Sequence, residues 1–366
     1  MWRKHQVADE ETLNDTEVWD YELGTRGVIS AIFMTIKATN GATSNLANEI
    51  YRCVNKIEVV DGSAKLHSTT APENQALLAY AAGKVPPDLI DENPSAEQIG
   101  YFGILFGRFV GDRQYGLDLS KLSNPKLQVD FDLTNVRATG ATGYVSGSAD
   151  ISVTIVKDDS ERAPTPASFM RTTQQYSWTT AASGDERIKL PVENPWHRLM
   201  LRAREDNVAL ATDVTDVRLS MDGDKFIPFE EPVERVEDEN LVTFGLRPAV
   251  EVRLLKANDD TYDSTVQHVL DAPFHSETDG HNALINGFSG NRLTVSLYDT
   301  ATPSAVTSAE AIRGIIWGKA YHATLCWLWD EEEFFPAPDY GRADLYVTQG
   351  GAGAAASVVL EEVYPN

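Results

Sequence analysis

Only two cysteines, Cys53 and Cys326, occur in 366 residues, one in each half of the chain. Two thiols so far apart make no disulfide framework and no clustered metal site, and they read as buried free thiols. Positive charge is also scarce. Lys and Arg number 31 against 55 Asp and Glu, a formal net charge of -24. A surface of that sign repels phosphate backbones, which excludes nucleic-acid binding over the whole surface and keeps copies apart until specific contacts form. No apolar run approaches the ~18 residues of a membrane-spanning helix. Met1-Trp2-Arg3-Lys4-His5-Gln6 runs straight into Asp9-Glu10-Glu11, without a stretch resembling a signal peptide. The expectation is a soluble protein folding in a reducing compartment or after release from one. Helical periodicity is scarce too, with one short candidate from Glu73 to Gly83.

The dominant pattern is alternation of period two. Leu127, Val129, Phe131 and Leu133 alternate with polar residues, as do Ile151, Val153 and Ile155. Val250, Val252 and Leu254, then Leu293, Val295 and Leu297, do the same in the second half. Antiparallel sheets with one buried face produce such runs, whereas buried parallel strands are apolar throughout. The fold class is all-β, with one or few short helices.

A repeat lies beneath this pattern. Val59-Val60 leads into the turn Asp61-Gly62, and Leu219-Ser220-Met221 leads into Asp222-Gly223, 161 residues later (222 minus 61). The Leu127 and Leu293 strands stand 166 apart (293 minus 127), and strands at 149–156 and 321–329 close the two halves. Landmarks in constant order at near-constant offset suit two copies of one β fold. The expected division is residues 1–160 for the first sandwich, 161–186 for a charged, Pro-containing and then Ser/Thr/Gln-rich connection, and 187–366 for the second.

Motifs of catalysis do not survive inspection. Gly351-Ala352-Gly353-Ala354-Ala355-Ala356 imitates a dinucleotide fingerprint but is followed by only ten residues, too few for the helix, strand and ribose-binding acid that such a site needs. No Walker loop or Gly-x-Ser-x-Gly elbow occurs. His268, His275 and His281 lie near Asp271, Glu277 and Asp279 without metal-ligand pitch and read as solvated loop residues. The carboxylates Asp330 to Glu333 read as a solvated strand end, and the Arg108/Asp112 pair as a loop fastener. Hence no catalytic, cofactor-binding or metal-binding residue is assigned. Tyr101 to Phe106 and Phe334-Phe335-Pro336 are apolar enough for either core or an intersubunit contact.

Phe106-Gly107-Arg108-Phe109-Val110-Gly111-Asp112-Arg113-Gln114-Tyr115-Gly116-Leu117-Asp118, with Asn124-Pro125-Lys126-Leu127 after it, resembles the first domain of double jelly-roll major capsid proteins. These belong to tailless, membrane-containing icosahedral phages, in the lineage that joins such phages to adenovirus. Val59 to Ser63, and in the second half Trp196 to Ala203 with Asp222-Gly223, fit the same pattern. The resemblance covers most of the chain in layout through short, divergent motifs. It implies two tandem eight-stranded jelly rolls in a compact member without long tower loops. It further implies homotrimeric pseudo-hexagonal capsomers, contacts with neighbouring capsomers and with vertex and minor capsid proteins, and assembly in the host cytoplasm. Trp2, Arg3 and Lys4 would then face an internal lipid membrane, with residues 1–8 pointing inward.

Two other readings share the alternating strands and the acidic surface. One is a secreted tandem β-sandwich that binds carbohydrate or acts on it, against which the absent signal peptide and the paired halves count. The other is a non-viral structural protein of two sandwiches.

Overall fold

The computed structural model describes residues 1–42, 45, 48–91, 93–136, 143–205, 208–245, 320–329 and 333–366, together with the backbone of six strands between 249 and 317. The first half supplies β1 (Arg3–Thr12), β2 (Thr16–Glu22), β3 (Val28–Thr39), β4 (Val54–Asp61), β5 (Ala64–Thr69), the helix α1 (Ala71–Ala82), β6 (Ile90–Asp91), β7 (Glu97–Leu105), β8 (Leu117–Asp118), β9 (Pro125–Asp132) and β10 (Asp150–Asp158). One sheet runs β1-β10-β3-β7, and β2-β9-β4-β5 forms the layer facing it. With strands lettered B to I in chain order, these sheets read B-I-D-G and C-H-E-F, the strand order of a jelly roll. Alternation does the sorting: Leu127, Val129 and Phe131 of β9 are fully buried, and they meet Ile32, Ile36, Ile104 and Ile151 from the opposite sheet in one core.

The second half repeats the plan. It supplies β11 (Ser168–Thr179), β12 (Gly184–Leu190), β13 (Trp196–Arg204), α2 (Leu210–Asp213), β14 (Val214–Met221), β15 (Phe226–Pro232) and α3 (Val233–Phe244). An excursion follows, with β16 (Ala249–Lys256), β17 (Tyr262–Thr265), β18 (His275–Glu277), β19 (Asn282–Ser289), β20 (Arg292–Tyr298) and β21 (Glu310–Trp317). Then come β22 (Thr324–Leu328), β23 (Ala343–Gln349) and β24 (Ala355–Pro365). The orders β11-β24-β13-β22 and β12-β23-β14-β15 are again B-I-D-G and C-H-E-F, around a second core containing Trp196, Leu199, Leu219, Leu345, Val358 and Leu360. The chain is therefore two tandem jelly rolls.

The rolls share a sheet. β5, the edge of the first, pairs in parallel with β11 through Thr172↔His67 and Thr173↔Ser68, making one eight-stranded sheet from β2 to β22. This explains why the stretch 161–186 reads as a connection while holding a twelve-residue strand. β11 is polar because it lies at a joint between two rolls rather than over one core, so it lacks the alternation that marks the other strands.

Both Asp-Gly turns close E–F hairpins, β4–β5 and β14–β15. Gly62 and Gly223 have φ of +60° and +68° with open space around them, so conformation and not crowding requires glycine there. Each hairpin is followed by a twelve-residue helix that ends on a left-handed glycine, Gly83 or Gly245. In each roll a helix asparagine then docks on the backbone of the G strand. Asn74 accepts from Gly103 N–H at 2.9 Å, and Asn240 accepts from Cys326 N–H at 2.8 Å.

The other repeat landmarks pair differently from the sequence expectation. β9 and β23 are the two H strands, which makes Ala343–Gln349 the counterpart of Pro125–Asp132. The Leu293 strand is β20, within the excursion between F and G of the second roll, and so is the Val250 strand, β16. The strand near 321–329 is a G strand, so its counterpart is β7, while Asp150–Asp158 corresponds to β24. The excursion also means that this chain is less compact than expected.

Candidate functional site

The chemistry-bearing side chains of the described residues concentrate in the seam where α1 of the first roll lies on the outer face of the β11-β24-β13-β22 sheet. α1 is buried on nearly all sides, which its sequence allows: Ala76 and Ala79 let neighbouring backbones approach, and polar Glu73, Asn74 and Gln75 each find partners. Glu73 caps its own helix by accepting from Thr70 N–H at 2.8 Å, and it also accepts from Gln174 Nε2 at 2.9 Å and from the Ser357 hydroxyl. Gln75 donates to Asp88 at 2.8 Å and accepts from His322 Nε2 at 2.6 Å. Tyr80 donates to the Thr324 carbonyl at 2.6 Å, and its ring meets Phe244 of α3 edge-on.

From the second roll, β13 turns Arg198, Arg202 and Arg204 toward this helix, spaced by the two-residue period of one strand face. Arg198 donates to the Leu77 carbonyl at 3.2 Å and stands 3.9 Å from Glu361, while Arg204 donates to Tyr51 Oη at 2.8 Å. Glu361 also accepts from His197 Nδ1 at 2.6 Å and from Thr172 Oγ1 at 3.0 Å. Burial alone would raise the Glu361 carboxyl, yet Arg198 and the His197 hydrogen bond outweigh it and hold the group down at about 2. Burial lowers His67 to about 4 and raises Asp88 to about 7, and it raises Cys53 and Cys326 to about 12. Both thiols are free and buried, as expected from sequence.

A buried His–Glu pair is half of a nucleophile-activating triad. Among the described residues the other half is missing, because His197 Nε2 meets no hydrogen-bond partner there and the ring faces the edge of Phe334. The pair fastens strands β13 and β24 at the seam.

The Arg108/Asp112 pair holds its loop as the sequence suggests. Arg108 Nε donates to Asp112 at 2.8 Å, and Asp112 also accepts from Gln114 N–H at 2.9 Å. Burial raises the Asp112 carboxyl, but these donors prevail and keep it below its ordinary range. Gly107 and Gly116 admit no side chain: a Cβ would stand 2.7 Å from Asp112 Cβ and 2.9 Å from Val28 Cγ1, respectively. The loop carries Phe109 and Val110 exposed at its tip.

Other candidates fall out as follows. Phe102, Ile104 and Phe106 are core residues of the first roll, so most of the apolar surface of the 101–106 segment is spent on the core, with Tyr101 half-buried. Phe335 is buried and stacked on Trp196 at 5.1 Å, while Phe334 is half-buried. Gly350 to Gly353 form the turn between β23 and β24. Residues 3–12 form edge strand β1, paired with β10, rather than a free tail. Trp2 is half-buried with its indole nitrogen enclosed and its ring against Gly111, which leaves Arg3 and Lys4 as the exposed members of the terminal cluster. Lys4 lies at the rim of a groove of about 640 Å³ lined by Phe33, Leu78 and Pro86. His268, His281 and residues 330–332 lie outside the described residues, as does the side chain of His275. Among the described residues no group of three or more His, Cys, Asp or Glu is placed to hold a metal ion. No described helix is long and apolar enough to cross a membrane.

The strand order, the shared sheet and the polar seam define a double jelly-roll protein. Comparison with solved structures agrees over the full chain. The STIV MCP superposes with a TM-score of 0.58 at 10% identity, covering 100% of this chain and 97% of that one. The atomic structure of Sulfolobus Turreted Icosahedral Virus gives the same TM-score and identity, with coverages of 100% and 91%. The major capsid protein P2 from bacteriophage PM2 superposes at 0.52 and 10% identity, covering 100% and 98%. No protein-family model and no curated protein sequence matches the chain.

Proposed function

We propose that this chain is the major capsid protein of an icosahedral virion, with no catalytic role. The observation that carries this reading is the pair of jelly rolls sharing one eight-stranded sheet, aligned end to end with the STIV MCP and the major capsid protein P2 from bacteriophage PM2. Shell building asks for a rigid block with adaptable edges. Each roll closes its own core, the seam makes the two rolls one body, and the loops between strands are free to become contacts.

The assembling unit is a homotrimer with pseudo-hexagonal outline, which then meets neighbouring capsomers and the vertex and minor capsid proteins. Exposed Phe109 and Val110, fixed by the Arg108–Asp112 pair, support the loop as one contact. The terminal strand faces inward, with Arg3 and Lys4 toward lipid headgroups, each worth about 1 kcal/mol near an anionic surface and multiplied over many copies.

Size-exclusion chromatography with light scattering tests the proposal. A mass three times that of the 40.3 kDa chain, or shell-sized particles, is expected. A folded monomer at high concentration that binds glycans would overturn it in favour of the carbohydrate-binding reading.

A further inference from the structure

The arginine ladder on β13 has one unfinished rung. Arg198 and Arg204 each reach the first roll, through the Leu77 carbonyl and Tyr51 Oη. Arg202 lies between them on the same face; its side chain makes no hydrogen bond to any described residue, and its Nε is shut away from solvent. A guanidinium presents five donors, and enclosing one without acceptors costs more than an ordinary unmade hydrogen bond. The carboxylate that favours its charge, Glu73, is already engaged. Glu73 spends one oxygen on Thr70 N–H and the other on Gln174 and Ser357. Tyr51 is committed to Arg204, and Arg52 is paired with Glu49 at 2.6 Å.

Arg202 lines a cavity of about 450 Å³ that opens between the rolls. Thr70 and Glu73 border it from the first roll, and Ser177, Thr179 and Ser357 from the second. The Thr70 hydroxyl caps α1 by facing the Glu73 backbone N–H, which leaves its own proton to donate. The wall thus offers a guanidinium and several hydroxyls, beside a Glu73 carboxylate whose oxygens are already taken. Burial weighs most, then Arg204, and with Arg52 they outweigh the opposing pull of Glu73 and Tyr51, so the Arg202 pKa falls to about 10. It stays a cation at neutral pH and gains from an added anion.

We propose that this cavity is an anion site in which Arg202 binds a small tetrahedral oxyanion of the phosphate or sulfate class, held jointly by both jelly rolls. The planar fork of arginine matches two oxygens of such a group, and the hydroxyls supply the remaining donors. Occupancy ties the N-terminal turn of α1 to β11 and β13, so the ligand strengthens the seam from within a single chain. The site does not depend on shell formation, and its test is independent of the capsid reading.

The test is thermal unfolding of the full chain at pH 7.5, titrated with sodium phosphate, sodium sulfate or sodium chloride at matched ionic strength. A saturable rise in Tm of a few degrees with phosphate and sulfate, and not with chloride, is expected from binding to the folded state. Arg202→Met should lose the response and Arg202→Lys should keep a weaker one. Ser177→Glu, at an exposed position, places a carboxylate beside Arg202 and should abolish the response while leaving the unliganded Tm unchanged or higher. Absence of a saturable response in the unaltered protein overturns the proposal, as does an undiminished response in Arg202→Met. Should Arg202→Met fail to fold, an undiminished response in Ser177→Glu overturns it equally.

Discussion

Replacing Glu361 by Gln isolates the charge at the centre of the seam, because the amide oxygen can still accept from His197 while its NH2 donates to the Thr172 hydroxyl. The carboxyl sits at about 2 in the fold against an ordinary 4.5. At about 1.4 kcal/mol per tenfold change in proton affinity, that difference is worth roughly 3 kcal/mol of stability at neutral pH. The low end of the ~3–5 kcal/mol lost when one partner of a buried pair is removed agrees with it. The sign follows from the direction of the shift. A carboxyl with a depressed value stabilises the fold above about 4.5, and this contribution drains away as the pH falls through about 2. Glu361→Gln should therefore lose about 3 kcal/mol at pH 7 and converge on the unaltered protein as the pH approaches 2. Urea unfolding at fixed protein concentration, followed by tryptophan fluorescence and circular dichroism, measures the gap. A loss below about 1 kcal/mol at pH 7, or a gap that ignores pH, refutes the assignment of Glu361 as the ionic centre of the seam.

Other outcomes follow from the same structure. His67 is held near 4 by burial against an ordinary 6.5, so stability should fall as the pH drops from 6.5 toward 4. His67→Gln should flatten that slope in the same urea series, and an unchanged slope would count against burial as the cause. Gly107→Ala forces a Cβ to 2.7 Å from Asp112 Cβ and 2.9 Å from the Tyr115 carbonyl, and should cost about 1–3 kcal/mol in thermal unfolding. Cys53 and Cys326, with thiols raised to about 12, should resist a thiol reagent in the native protein at pH 8 and react on unfolding. Rapid labelling of both under native conditions would mean the seam and the first core open more readily than their packing implies.

The sequence reveals what depends on neighbours along the strand and conceals what depends on the partner roll. Leu127 to Phe131 alternates because one face meets a core, so β9 is legible, and so is α1 with its terminal Gly83. α3 escapes notice because Val233-Glu234-Arg235-Val236-Glu237-Asp238-Glu239-Asn240 is mostly charged, with a narrow apolar stripe at Val233 and Val236. Its position one hairpin after Asp222-Gly223, matching α1 after Asp61-Gly62, is the signal that finds it. The excursion from 249 to 317 hides the true offset of the later strands, because its own β20 imitates the strand due next in the repeat. Seam residues such as Glu361, His197 and Arg202 lie far apart in sequence and carry no local motif. A β-strand with arginines at 198, 202 and 204 hints that its second face is not solvent, and that hint is all the primary structure contains.

Hydrogen bonding passes without a break from β2 to β22, through the two-residue joint between β5 and β11. Two domains linked by a tether alone would bend at the tether under load, and curvature of any array built from them would be set by that hinge. A shared sheet transfers in-plane tension from one roll to the next through backbone, and α1 bolted beneath it resists folding of the plate about the joint. In the assembly proposed above, angular adjustment between copies would therefore be displaced to the contacts outside the chain, and each copy would enter as a stiff tile of fixed dihedral shape.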